Sequence, residues 1–118
     1  MARRVESAIE GDGAYFAAEV DVVTGRMALH GELDIATASL LDDASQMLIG
    51  HGPSSTTICL ADLDFIDAAG LDVLVTLRDR LGSAGRLLAL TNAQCRVARV
   101  FDCTGLGHML ASGSGHAG

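Results

Sequence analysis

The sequence predicts an α/β domain: a small mixed β-sheet in the order β-β-α-β-α-β-α, finished by a last edge strand, with the helices packed on the sheet. Three observations carry this prediction. Residues 14–33 alternate in the manner of an antiparallel hairpin, and from Asp34 onward apolar stripes of helical period alternate with short β-branched or leucine-rich runs. The third is size: a chain of 118 residues, 49% hydrophobic and 19% charged, makes one globular core without metal or disulfide staples.

The elements follow in order. Residues 1–12 lack a sustained period and read as an N-terminal extension, with Gly11-Asp12-Gly13 as a turn signal. The domain is expected over 13–112. Its first strand falls at 14–20, Thr24-Gly25 turns the chain, and the second strand covers 26–33. Helix one takes Asp34 as its cap and carries a stripe of Ile35, Leu40, Leu41, Ala44, Met47, Leu48 and Ile49, stopped by Gly50-His51-Gly52-Pro53. The run 56–61 is the kind buried on both faces of a sheet, and residues 64–70 form a loop.

Helix two starts at Ala68 behind Asp67, a natural N-cap. Leu71, Leu74, Val75, Leu77 and Leu81 line its inner side, Asp72, Thr76, Asp79 and Arg80 its outer side, and Val73 lies off the stripe, exposed or at an interface. A buried strand at 86–90, a helix at 93–103 and an edge strand at 108–111 complete the domain. Residues 113–118 read as a linker-like tail.

Strand–helix–strand repeats imply parallel neighbours, which gather the loops after their carboxyl ends at one sheet edge. Asp34, Asp64, Asp67 and Asn92 are therefore expected in one neighbourhood. Capping accounts for Asp34 and Asp67 better than acid–base or magnesium chemistry does, and these loops hold no His, Ser or Cys to act as nucleophile or base.

Several function classes drop out. There is no Lys, which removes a P-loop lysine and Schiff-base chemistry. The formal charge of −7 is concentrated in residues 1–59, with nine acids against three Arg, and such a field repels nucleic acid and anionic membranes. A protein with a basic patch is the better expected partner. No apolar run reaches the roughly 18 residues of a membrane helix and the start does not lead into a signal-peptide core, so no membrane insertion and a cytoplasmic location are expected. Cys59, Cys95 and Cys103 are odd in number without metal-ligand spacing, and Cys59 reads as core. His30, His51, His108 and His116 share no face, which leaves them structural or solvent-exposed roles. Neither metal nor cofactor is expected.

Three segments, GELDIATA (31–38), LADLDFIDAAGL (60–71) and VARVFDCTGL (97–106), together resemble the STAS domain family, of the anti-sigma factor antagonist type, over about residues 13–112. The resemblance implies a non-enzymatic binding module whose partner is an anti-sigma factor with kinase activity. In that family the partner phosphorylates the first hydroxyl residue of an Asp-Ser/Thr-Ser/Thr-Gly turn, and the phosphorylated antagonist lets go.

Residue by residue, the phosphoacceptor position falls on Ala68 and the next hydroxyl on Ala69. Asp34 matches the acidic neighbour, Asp67 the turn aspartate and Gly70 the turn glycine. The resemblance thus implies a partner surface of Leu33, Asp34, Asp67, Ala68, Ala69, Gly70, Leu71 and Asp72, without the phosphorylation switch. A monomer or weak homodimer is expected. Two other readings stand beside it: a STAS scaffold subunit of a transporter or signalling assembly, and an antagonist regulated by cysteine oxidation. Thr37, Ser39, Thr76, Ser83 and Thr91 are the alternative hydroxyls, Thr76 first because it lies on the outer face of helix two.

Overall fold

A computed structural model describes residues 2–8, 15–51 and 55–110, with side chains from 15–50 and 55–110. Five strands lie in the sheet in chain order: β1 (Ala2–Ala8), β2 (Tyr15–Asp21), β3 (Arg26–Leu33), β4 (Ser55–Ile66) and β5 (Leu87–Thr91). β1–β2 and β2–β3 are antiparallel, while β3–β4 and β4–β5 are parallel. The parallel steps are bridged by α1 (Ala38–His51) and α2 (Ala68–Ser83), and α3 (Cys95–Cys103) follows β5. The mixed sheet with packed helices is the predicted architecture.

One face of the sheet carries the core. Phe16, Ala18 and Val20 of β2, Met27, Leu29 and Leu33 of β3, and Ile58, Leu60, Leu63 and Ile66 of β4 are buried in the same cluster as Leu41 and Leu48 of α1 and Leu74 and Leu77 of α2. Val97 and Phe101 of α3 join it. Burial of the Leu, Ile, Val, Met and Phe side chains among them, each worth about 1.5–3 kcal/mol, is the dominant stabilising term. Arg86, just before β5, ties a helix to the sheet: its guanidinium donates to the carbonyls of Ile49 (2.8 Å) and Leu48 (2.7 Å) in the last turn of α1, where a helix leaves carbonyls without partners within itself.

Several expectations need correcting. Residues 2–8 of the expected extension form β1, whose backbone pairs with β2 from Ala2↔Asp21 to Ala8↔Tyr15. Ile35 does not belong to the α1 stripe. Asp34 accepts from the amides of Ala36 (2.9 Å) and Thr37 (3.1 Å), forming a turn that delays α1 to Ala38 and leaves Ile35 82% exposed.

β4 runs twelve residues, to Ile66, so Asp64 is on a strand rather than in a loop. It is also buried on one face only: Thr57 and Cys59 are half-buried and Ala61 exposed. β5 is an edge strand with Leu87 72% exposed, not a buried one. The piece expected as a last edge strand is a short 3-10 turn, Gly107–Met109, ending in a single parallel bridge, Leu90↔Leu110.

The thiols also differ from expectation. Cys59 is half-buried on the open sheet face, where the Asn92 side-chain amide approaches its sulfur at 3.5 Å, and Cys95 and Cys103 are exposed. Val73 is half-buried against the core cluster, not fully exposed.

Candidate functional site

At the carboxyl edge of the parallel strands, the chain leaving β3 and the turn between β4 and α2 are locked together. A single residue, Asp67, separates β4 from α2. Its backbone is extended (φ −119°, ψ −173°), as an N-cap requires, and its Oδ1 accepts from the Gly70 amide at 3.1 Å. Its other oxygen, Oδ2, accepts from the Ile35 amide at 3.3 Å, and its own amide donates to the Leu33 carbonyl at 3.1 Å. One aspartate therefore starts the helix and staples it to the neighbouring loop.

Gly70 explains why the staple is so short. A β-carbon there would stand 2.7 Å from Leu33 Cγ, 2.9 Å from the Leu33 carbonyl oxygen and 3.0 Å from Ile66 Cγ1. Only hydrogen fits between the first turn of α2 and the end of β3. Gly31 does comparable work on the other side of the sheet edge, with φ +91° and Tyr15 backbone where a side chain would go.

The Asp34 loop is equally preorganised. Asp34 and Thr37 cap each other reciprocally: the Thr37 amide donates to Asp34 Oδ1, and the Asp34 amide donates to the Thr37 hydroxyl at 3.0 Å. That hydroxyl also donates to the Glu32 carbonyl at 2.9 Å. Thr37 is buried, so this one of the alternative hydroxyls is a structural bond. Ser39, Thr76 and Ser83 are exposed and Thr91 is half-buried.

The residues expected at the site divide by exposure. Ala68 and Asp72 are exposed, and Asp34, Asp67 and Ala69 half-exposed. Leu33, Gly70 and Leu71 are buried, with Leu33 at 0%; they shape the turn from beneath instead of offering a surface. Two exposed apolar residues that were not among the expected site residues lie on the segments next to this turn: Ile35, whose amide is held by Asp67, and Phe65, 47% exposed near the end of β4. The Asp-x-x-Thr spacing 34–37 was the available signal for Ile35, because it marks a turn instead of a helix stripe.

Asp64 and Asn92 are not joined to this group by any hydrogen bond among the described residues. Asp64 accepts from the Gln94 side chain at 3.1 Å, and Asn92, in the left-handed region at φ 61°, reaches Cys59. On the open sheet face, His30 lies between two carboxylates, Nε2 at 3.0 Å from Glu19 and Nδ1 at 3.3 Å from Asp62. Among the described residues no group of three or more His, Cys, Asp or Glu is arranged to hold a metal ion, and no helix is long and apolar enough to cross a membrane.

The edge thus presents a capped helix N-terminus carrying methyl groups, the exposed apolar side chains of Ile35 and Phe65, and the carboxylates of Asp34, Asp67 and Asp72. The STAS domain family model matches residues 15–114, and the chain belongs to that family. It is similar to the anti-sigma-B factor antagonist of Bacillus subtilis, 36% identical over 76 residues, which are 64% of this chain and 69% of that protein.

Among solved structures, it resembles the anti-sigma factor antagonist SpoIIAA in its unphosphorylated form, with a TM-score of 0.68, 23% identity and coverage of 81% of this chain and 85% of that one. A protein described as a putative anti-sigma factor antagonist from Thermotoga maritima gives a TM-score of 0.65 at 26% identity, over 76% of this chain and 80% of that one. This is an anti-sigma factor antagonist-like STAS domain.

Proposed function

We propose that this chain is a non-enzymatic antagonist that sequesters a kinase-like anti-sigma factor, frees the sigma factor, and cannot be switched off by phosphorylation at its recognition turn. The observation that carries the reading is Ala68. It is the exposed first residue of α2, directly behind the Asp67 cap and beside the Ile35 loop. From Asp64 to Asp72 the turn contains no hydroxyl.

A phosphate at this point would add about −1.5 to −2 charges to a surface already lined by Asp34, Asp67 and Asp72. The helix N-terminus would tolerate it, but a partner bound there would not. Methyl groups at Ala68 and Ala69 keep the surface permanently in its uncharged form, so engagement is constitutive. Ile35 and Phe65 supply the apolar contact, and the acidic rim selects a partner with basic residues. Leu33, Gly70 and Leu71 hold the turn in place from below. The protein acts in the cytoplasm as a monomer or weak homodimer.

The test is a gain of function. Incubated with ATP and a cognate anti-sigma kinase, the A68S variant gains one phosphate in intact-mass analysis while the parent protein gains none on the turn. If A68S binds the kinase and stays unmodified, the partner is not acting as a kinase on this turn and the switch-loss reading is wrong.

A further inference from the structure

β4 is twice out of register with β3. Ala28 pairs with Cys59 but His30 with Asp62, and Gly31 with Leu63 but Glu32 with Phe65, so β4 holds one extra residue at each step. Two bulges restore the inward orientation of Leu63 and Ile66 and draw the end of β4 back by two residues, roughly 6–7 Å of strand. Without them Leu33 would stand beside Asp64 instead of Ile66. Asp67 could then not reach both the Leu33 carbonyl and the Ile35 amide.

Such bulges need support, because this part of β4 has a neighbour on one side only. β5 pairs with β4 from Ser55 to Cys59 and no further. Beyond that point the side-chain amide of Gln94, the N-cap residue of α3, takes the place of a strand: Nε2 donates to the carbonyls of Ala61 and Leu63, each at 3.0 Å, and lies 3.1 Å from Asp64 Oδ1. Those two carbonyls belong to the two bulged segments. Gln94 is itself fixed, since its carbonyl accepts from Val97 (2.9 Å) and Ala98 (2.8 Å) in the first turn of α3.

We infer that Gln94 is a positioning residue for the recognition turn: it holds the double bulge of β4 and so sets the depth at which Phe65, Asp67 and Ala68 are presented. The turn and the Asn92–Gln94 connection are one mechanical unit, although no side chain of that connection reaches the turn. This deepens the function proposed above, but the position of the turn is a property of the free protein and is measured without a partner.

Amide hydrogen exchange, followed residue by residue by NMR, tests it with two variants. Q94M keeps the length of the side chain and removes the donor, whereas D64A removes the one side-chain acceptor and leaves both carbonyl bonds. Q94M is expected to accelerate exchange at Asp67 and Gly70 about tenfold or more, with β2 and α1 unchanged. D64A is expected to leave Asp67 and Gly70 within about twofold. Equal protection of the turn in Q94M and the parent protein would overturn the inference, as would uniform acceleration through the whole sheet, which would mark Gln94 as generally structural.

Discussion

Replacing Gly70 by alanine inserts one methyl group at the tightest point of the site. Two of its three nearest atoms, Leu33 Cγ at 2.7 Å and the Leu33 carbonyl oxygen at 2.9 Å, lie inside any normal contact distance, and the second is backbone that cannot rotate away. Relief requires the α2 N-terminus to move off β3, stretching the 3.1 Å bond from Asp67 to Leu33 and the 3.3 Å bond from Ile35 to Asp67.

Overpacking of this kind costs about 1–3 kcal/mol, and the higher helix propensity of alanine returns up to about 1 kcal/mol. The net loss is roughly 1–2 kcal/mol. For a domain of this length, with about 2 cal/mol/K of unfolding entropy per residue, that lowers Tm by about 4–8 °C. Calorimetric unfolding of G70A measures it, and exchange at the Ile35 and Asp67 amides reports whether the staple opened. A G70A protein as stable as its parent, with both amides still protected, would refute the claim that the turn is pinned by close backbone approach.

The other predictions concern separate parts of the same frame. D67A removes the cap and the staple together and should lose about 1 kcal/mol or more in urea unfolding, while D67N, which still accepts hydrogen bonds, loses less. T56V should raise stability by about 1 kcal/mol, since the Thr56 hydroxyl is buried without a partner among the described residues and valine keeps the branched shape. R86A should cost about 2 kcal/mol by unmaking the bonds to Leu48 and Ile49, with R86K recovering only part because lysine cannot present the same fork. I35S and F65S should unfold within about 0.5 kcal/mol of the parent protein, yet each weakens anti-sigma factor binding about tenfold or more in titration calorimetry.

Much of this architecture was legible in the sequence. Helix two, its Asp67 cap and its Leu71, Leu74, Leu77 and Leu81 stripe follow directly from period and capping chemistry, because a helix that packs on one face writes that face into its spacing. The end of β4 does not. Its burial falls on Leu60, Leu63 and Ile66, an interval of three that matches neither strand nor helix, and the cause is the pair of bulges against β3. Bulges are set by the partner strand and by Gln94, more than thirty residues away, so no local pattern announces them.

The site was half legible for the same reason. Asp34, Asp67 and Ala68 stand where the strand–helix order put them. Exposure of Ile35 depends on a reciprocal Asp34–Thr37 cap that outcompetes an early helix start, and Leu33 is covered by the close approach of Gly70. β1 escaped notice because its seven residues, ARRVESA, show no sustained alternation in the sequence.

The central claim is a recognition turn held permanently in its binding form. Its most direct test is the affinity of the unaltered chain for its captured anti-sigma factor, measured by titration with and without ATP, alongside intact mass. The account predicts the same Kd in both conditions and no phosphate on the turn. Release of the partner on addition of ATP, with phosphate appearing on this chain, would contradict it.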